Sequence, residues 1–261
     1  MESDVREYIP MNPEREGGAV KGVVRYSVAA TVLALGMVVS AAFISRFFVR
    51  VKHEKEITVK GYAEAGIVSD IGQLSVTVRA SDARRDKAYL LLTDHVQKVL
   101  TSLRHSAPDD LAVGLGNPHF QEHYRLNDDG NETNEVESYA GTQTVAVASS
   151  DVHWIKKVGQ GLNAFIGQGY NIQVHAPDFL VSNLDQIKRE LLQRATANGY
   201  ERAQVLANNS GARVGALRAG RQGVFQITEP NSTRTSGYGI YDTSTIHKVI
   251  KAVVTLEYSV E

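Results

Sequence analysis

The stretch ITVKGYAEAGIVSDIGQLSVTVRASD, residues 57–82, decides the fold class. Apolar and polar side chains alternate in both of its halves, around Val59 in the first half and around Val76 in the second. A period of two is typical of β-strands that bury one face. The sequence therefore predicts two strands joined by a turn near residues 66–70.

After this stretch, apolar residues recur at helical spacing in three segments. Ser81 or Asp82 is predicted to cap the first helix, Asp151 the second, and the third is predicted at about 183–209. Neighbouring strands separated by helices predict an α+β fold, with helices packed on a mainly antiparallel sheet and partly repeated ββα-type units. The other predicted strands lie at 111–126, 138–149, 170–176, 216–228 and 250–260.

An uncharged run of 20 residues, 26–45, precedes the predicted domain. A helix of about 20 residues spans the roughly 30 Å of a hydrocarbon core. We therefore expect a mobile cytoplasmic tail at 1–25, a transmembrane helix acting as a signal anchor at 26–49, and an extracytoplasmic domain at 50–261. A signal peptide cleaved near residues 39–41 is the alternative, and the flanking charges do not decide the orientation.

Composition removes several classes of site. The net charge is −1, which gives no general electrostatic attraction to nucleic acid. The chain has no cysteine, so thiolate metal sites, cysteine nucleophiles and disulfides are excluded. We expect no cofactor and no nucleic-acid partner.

The segment GALRAGRQ, residues 215–222, is close to the phosphate-binding pattern G-x-x-x-x-G-K-[ST]. That pattern needs a strand, a loop and then a helix, so that the helix N-terminus faces the phosphate. Here a predicted helix ends before the segment and a strand begins within it. The sequence instead predicts that Gly211 ends the helix in a left-handed conformation, and that Arg213 and Arg221 line a polar surface.

The segment HFQEH, residues 119–123, matches the H-x-x-E-H pattern of inverted zinc peptidases. That chemistry requires a helix, because two histidines four residues apart then face one metal ion. Pro118 and the surrounding pattern favour a strand, which would separate His119 from His123 by about 13 Å. A hydrolase-like or small-molecule-binding protein that uses His119, Glu122 and His123 is the alternative function.

The order of these segments resembles the SIMPL domain family over roughly residues 55–261. The first strand is similar to the family pattern I-x-V-x-G-x-A/G-E, with Gly61 at its glycine, although the turn has Ser69 where the family usually has proline. The helix that ends at Gly211, with Gly215 four residues later, is similar to the family's alanine- and glycine-spaced helix. We expect Gly61, Gly211 and Gly215 to serve structural turns or caps.

The resemblance implies a bacterial, envelope-facing protein with no catalytic residue, linked to stress tolerance, that assembles into rings or barrels. It predicts a non-enzymatic, single-pass inner-membrane protein whose C-terminal domain lies in the periplasm. The expected partners are other copies of the chain and the lipid bilayer through residues 26–49, and an unidentified envelope protein is a further candidate. We expect the contact surfaces to include the terminal strands and the loop at 229–243. The candidate contact residues are Tyr238, Tyr241, Arg213 and Arg221.

Overall fold

The computed structural model describes residues 31–45, which form one helix, and residues 55–261, which form two β-sheets and the helices packed on them. In chain order the elements are α1 (31–45), β1 (Glu56–Val68), β2 (Ile71–Asp82), α2 (Arg85–Arg104), β3 (Ala112–Leu115), β4 (His119–Leu126), β5 (Glu132–Ser149), α3 (Val152–Leu162), α4 (Ala164–Gly167), β6 (Asn171–Val174), β7 (Asp178–Leu180), α5 (Leu184–Asn209), β8 (Val214–Gln222), β9 (Gln226–Thr228), β10 (Ile240–Tyr241) and β11 (His247–Val260).

The first sheet has β11 at its centre, between β1 on one side and β8 and β9 on the other. All its pairings are antiparallel except that of β9 with β10. Alternate residues of β11 are buried beneath α5, which confirms the strand predicted at 250–260. This core also contains Leu191, Ala195 and Ala203 of α5. The buried residues of β11 are Lys248, Ile250, Ala252, Val254, Leu256 and Tyr258.

The second sheet is antiparallel throughout, in the order β3-β5-β2-β6, with β4 also on β5 and β7 also on β2. Helices α2 and α3 cover one face of it. Val76 and Val78 of β2 and Val145 of β5 have no exposed surface in this core. The ββα order predicted from the sequence therefore occurs in the chain, but its strands are divided between two sheets.

The turn between β1 and β2 is shorter than predicted, and these strands do not pair with each other. β1 continues to Val68, because it pairs with β11 along its whole length, and β2 pairs with β5 in the other sheet. Only Ser69 and Asp70 connect them. Burial raises the pKa of Asp70, but hydrogen bonds from the hydroxyl and amide of Ser182 outweigh it, so the pKa is lowered.

Two of the three helix predictions are confirmed at their N-termini. The Asp151 side chain accepts a hydrogen bond from the Trp154 amide at 2.8 Å, and α5 has nearly the predicted bounds. The cap predicted for α2 is wrong. Ser81 and Asp82 both belong to β2, because β5 pairs with that strand to its last residue, and α2 begins only at Arg85.

The helix α1 covers residues 31–45, and all of its residues are exposed. Residues 26–30 and 46–49 of the predicted transmembrane segment lie outside the described residues, as does the predicted tail at 1–25. Within 31–45 and 55–261, no helix has both the length and the apolar character needed to cross a membrane.

Candidate functional site

The strands β4 and β5 form a long hairpin whose base is packed and whose far end is exposed. At the base, the Phe120 ring covers Gly141, where a Cβ atom would lie 2.5 Å from the ring. The Phe120 ring also lies 6.2 Å from the Tyr89 ring of α2, measured between centroids. Beyond this point most residues of both strands are exposed, and β4 has no other partner among the described strands.

The turn of the hairpin is ordered by Asn127. Its side-chain oxygen accepts hydrogen bonds from the amides of Asp129 and Asn131, at 3.1 and 2.8 Å. Gly130 adopts a φ of +78°, which favours glycine. The exposed end is therefore a defined β-hairpin rather than an irregular loop.

The hairpin, residues 119–138, is strongly acidic. Its one arginine, Arg125, lies 3.1 Å from Glu135, and both side chains are mostly exposed. We call residues 119–138 the acidic hairpin. Its six carboxylates are Glu122, Asp128, Asp129, Glu132, Glu135 and Glu137.

The three residues of the zinc alternative lie on β4 without converging. The strand places His119 opposite Thr142 and His123 opposite Ser138 in the register with β5. Glu122, one position from His123, points to the other face of the strand, where it accepts a hydrogen bond from the Tyr124 hydroxyl at 2.9 Å. In the described part of the chain, no three histidine, aspartate or glutamate side chains are grouped so as to hold a metal ion.

The outer edge of β8 is the second surface. β8 pairs with β11, and no other described strand pairs with it. We call residues 213–222 the arginine edge, since they contain Arg213, Arg218 and Arg221 and no acidic residue. Arg213 and Arg221 are exposed, as is Leu217, the largest apolar residue between them.

Gly211 and Gly215 fix the entry to this edge. Gly211 has a φ of +70° directly after α5. Its amide donates to the Asn208 carbonyl, and the Ala212 amide donates to the Ala207 carbonyl at 3.0 Å, which together form a Schellman motif. A Cβ atom on Gly215 would lie 2.5 Å from the Ser259 hydroxyl, so β8 approaches β11 closely there.

The outer edge of β1, in contrast, is covered. The Asn198 side chain accepts a hydrogen bond from the Tyr62 amide at 3.1 Å, and Arg194 and Arg202 donate to carbonyls of β1. Gly61 allows this contact, because a Cβ atom there would lie 2.0 Å from the Ala195 carbonyl oxygen. The terminal strands predicted as contact surfaces are therefore not open edges: α5 covers β1, and β11 is central.

The loop after β9 is held in place and exposes tyrosine. The Gln226 side chain bonds the backbone of Ser236 in both directions, and Lys251 donates to the Ser232 carbonyl at 2.7 Å. Tyr238 is fully exposed and Tyr241 is 46% exposed. The structure thus places both tyrosines on the surface beside the end of the arginine edge.

Two features of these surfaces are absent from the predictions made from the sequence. The side chains of α5 that cover β1 lie 130 or more residues from their partners on β1, and no local pattern indicates such a contact. The acidic hairpin does have a signal, because its carboxylates are clustered in the sequence. The strand pattern and the histidine pattern at 119–123 do not use that signal.

The family model for SIMPL, described as a protein of unknown function (DUF541), matches residues 57–252. The chain belongs to the SIMPL family. The match includes the acidic hairpin, the arginine edge and the loop with the two tyrosines. The description of the SIMPL family names no activity, so membership of the family does not assign one to this protein.

Other comparisons add little to this SIMPL assignment. No curated protein matches the sequence. One solved structure, from Burkholderia cenocepacia and described as an amidohydrolase/peptidase, aligns with 11% identity and a TM-score of 0.26, over 54% of this chain and 35% of that one. This chain thus spans about a third of that protein's length, and so low a TM-score carries no argument about fold or activity.

Proposed function

We propose that this SIMPL protein is a non-enzymatic, membrane-anchored protein that assembles outside the cytoplasm into a ring- or barrel-like homo-oligomer. The acidic hairpin of one copy pairs with the arginine edge of the next. The observation that carries the proposal is that one chain has an acidic hairpin whose outer strand, β4, is unpaired on one edge, and an arginine-bearing strand, β8, that is also unpaired on one edge. The assembly has a structural role in the bacterial cell envelope, connected with stress, as the family resemblance implies.

Backbone pairing supplies the affinity in this contact. Each edge presents a row of amide and carbonyl groups to which an extended segment of another chain can bond. β4 runs over His119–Leu126 and β8 over Val214–Gln222, so the two strands have similar lengths. Neither β4 nor β8 has a described strand on its outer edge, so pairing between them displaces no described strand.

The charges of the acidic hairpin and the arginine edge determine which surfaces of two copies come into contact. Two acidic hairpins repel each other, as do two arginine edges, whereas a hairpin and an edge attract. The contact therefore joins two different surfaces. Contacts of this kind are heterologous, and they close into a ring when the rotation between copies is suitable. The exposed Tyr238 and Tyr241 lie at the end of the arginine edge, where they add apolar contact area.

The anchor in this proposal is the segment 26–49. The described part of it, α1, has exposed apolar side chains such as Val32, Leu35, Met37 and Phe43, with no polar stripe. A helix that is apolar on all sides is stable when lipid or protein surrounds it. This supports a membrane anchor with the bilayer as a partner. The proposal places that anchor in the inner membrane and residues 50–261 in the periplasm.

Reciprocal charge reversal tests the assembly. One variant carries Glu132→Lys, Glu135→Lys and Glu137→Lys, which changes the formal charge of the hairpin from −5 to +1. A second carries Arg213→Glu and Arg221→Glu, which changes that of the edge from +3 to −1. We expect the unaltered full-length protein in detergent to form oligomers, each variant alone to stay monomeric, and their mixture to form oligomers again. Mass photometry at micromolar concentration measures the particle masses. Arg85→Glu with Lys87→Glu, at two exposed positions at the start of α2, changes the charge by as much as the edge variant does, and this control leaves assembly unchanged.

The outcome is decisive in both directions. Assembly of the unaltered protein together with rescue on mixing requires that the hairpin contacts the edge of another copy, because in the unaltered protein only that pairing joins opposite charges. Monomers of the unaltered protein, or oligomers of both reversed variants, would refute the proposed contact.

The orientation is tested separately with C-terminal reporters. A fused alkaline phosphatase, which is active only in the periplasm, should be active, and a fused green fluorescent protein exported by the same route should stay dark. Fluorescence from the second fusion would place the domain in the cytoplasm.

A further inference from the structure

A cleft lies between α2 and the segment formed by α3, α4 and Tyr170. Its volume is about 920 Å³, and small-molecule sites usually measure about 300–1,000 Å³. The cleft is remote in sequence from the arginine edge, and the assembly proposed above does not use it. One end is closed by a hydrogen bond of 3.3 Å from the Trp154 indole to the Ser106 hydroxyl, which joins α3 to the end of α2.

The floor of the cleft is apolar and aromatic. Leu162 is buried in the core of the second sheet, and Val158 packs against that core. Three rings complete the lining: Trp154, Phe165 and Tyr170 are each only partly buried. The Phe165 and Tyr170 rings meet edge to face, with centroids 5.3 Å apart, which holds both in fixed orientations.

The walls of the cleft carry positive charge from both sides. Lys98 extends from α2 and Lys157 from α3, and Asp94 is the one carboxylate in the lining. Lys98 lies 3.4 Å from Asp94 and 5.9 Å from the centre of the Tyr170 ring. Lys157 has no carboxylate partner among the ion pairs of the described residues. The cleft therefore has a net positive charge above an aromatic floor.

One wall of the cleft has a glycine at a position where the surrounding atoms leave room for a side chain. Gly161 lines the cleft, and a Cβ atom added to it would meet no atom within 4 Å. Helix interiors favour residues other than glycine by about 1 kcal/mol. The glycine thus leaves space in the cleft without serving a contact in the protein.

We propose that this cleft binds a small aromatic anion, a carboxylate or sulfonate carried on one or two fused rings. The ring system lies against Trp154, Phe165 and Tyr170. The anionic group is placed between Lys98 and Lys157, where each lysine donates a charge-assisted hydrogen bond. Hydroxyl and amide groups of Ser102, Gln97 and Gln168 at the rim supply further hydrogen bonds.

The probe for the test is 2-naphthoate, titrated into the full-length protein in detergent by isothermal calorimetry, with detergent alone as the reference. We expect saturable binding. Trp154 is the chain's one tryptophan, so its emission should change with the same midpoint. 2-Naphthalenemethanol, which lacks the charge, should bind at least about tenfold more weakly.

Two pairs of variants assign the binding to the cleft. Gly161→Leu fills the open space and should abolish binding. Gly167→Leu is its control, because Gly167 is equally open and does not line the cleft. Lys98→Gln with Lys157→Gln should weaken binding at least about tenfold. Lys87→Gln with Lys156→Gln, on the same two helices but outside the lining, should leave it unchanged.

The proposal is overturned if 2-naphthoate does not bind the unaltered protein, if binding survives in Gly161→Leu, or if the alcohol binds as tightly as the acid. Circular dichroism of each variant shows whether it is folded. If Gly161→Leu were unfolded, the lysine variants would decide the matter, since both lysines are exposed and their replacement leaves the core intact.

Discussion

Gly211 is the residue at which α5 ends and the chain turns toward the arginine edge. With a φ of +70° it is in a conformation that side chains with a Cβ atom rarely adopt. We predict that Gly211→Val lowers the free energy of unfolding by about 1–2 kcal/mol, measured by urea denaturation. Gly211→Asn is the control, because asparagine tolerates this conformation. Its free energy of unfolding should fall clearly less than that of Gly211→Val. Equal losses for both variants would contradict the role of the left-handed cap.

Asp110 joins the loop after α2 to the end of β5. Hydrogen bonds from the side chain and amide of Ser150, and from the Ser149 hydroxyl, lower the pKa of Asp110 to about 2. The folded-state pKa lies below the ordinary value of 3.8, so this stabilisation is present above that value. It is lost as the pH falls through about 2.

We therefore predict that Asp110→Asn lowers the melting temperature at neutral pH and that the difference narrows toward pH 2. Thermal unfolding followed by circular dichroism measures both. Asp109→Asn, the exposed neighbour, is the matched control and should show no such pH-dependent difference. A decrease in the melting temperature of Asp110→Asn that stayed constant over the whole pH range would show that the carboxylate charge is not involved.

At the scale of elements, the close contact of α5 with β1 depends on Gly61. A Cβ atom there would lie 2.0 Å from the Ala195 carbonyl oxygen and 2.8 Å from the Gly199 amide nitrogen. Both are backbone atoms, so the helix must move as a whole. We predict that Gly61→Ala destabilises the fold by about 1–3 kcal/mol or more, measured by chemical denaturation.

The control for this prediction lies on the same strand. A Cβ atom on Gly66 would meet nothing within 4 Å, so Gly66→Ala should be nearly neutral. If Gly61→Ala also lowered the free energy of unfolding only slightly, α5 would be able to move away from β1 at little cost. In that case its side chains would not reliably cover the edge of β1.

The sequence predicted the elements better than their partners. Alternation around Val59 and Val76 correctly identifies two strands, because a half-buried strand imposes a period of two. The same pattern cannot tell which strand lies alongside, since the pairing of β1 with β11 joins residues nearly 200 positions apart. For the same reason the sequence indicated neither the cover over β1 nor the cleft beside Trp154, whose walls come from separate helices.

At the scale of the whole molecule, charge is distributed unevenly although the net charge is only −1. Carboxylates are concentrated in the acidic hairpin and arginines on the β8 edge, both of which are exposed. A balanced total therefore conceals two surfaces of opposite sign. This uneven distribution favours head-to-tail contact between copies over contact of like surfaces.

An assembly held by such surfaces must respond to salt. The Debye length falls from about 10 Å at 0.1 M ionic strength to about 3 Å at 1 M, and exposed charges are then largely screened. We predict that the oligomeric fraction of the full-length protein in detergent falls between these concentrations, as measured by mass photometry. Exchange of chloride for acetate at constant ionic strength controls for specific anion binding. Salt would instead strengthen a mainly apolar contact. An oligomeric fraction that rises with salt would therefore place the interface on the loop that carries Tyr238 and Tyr241, rather than on the acidic hairpin and the arginine edge.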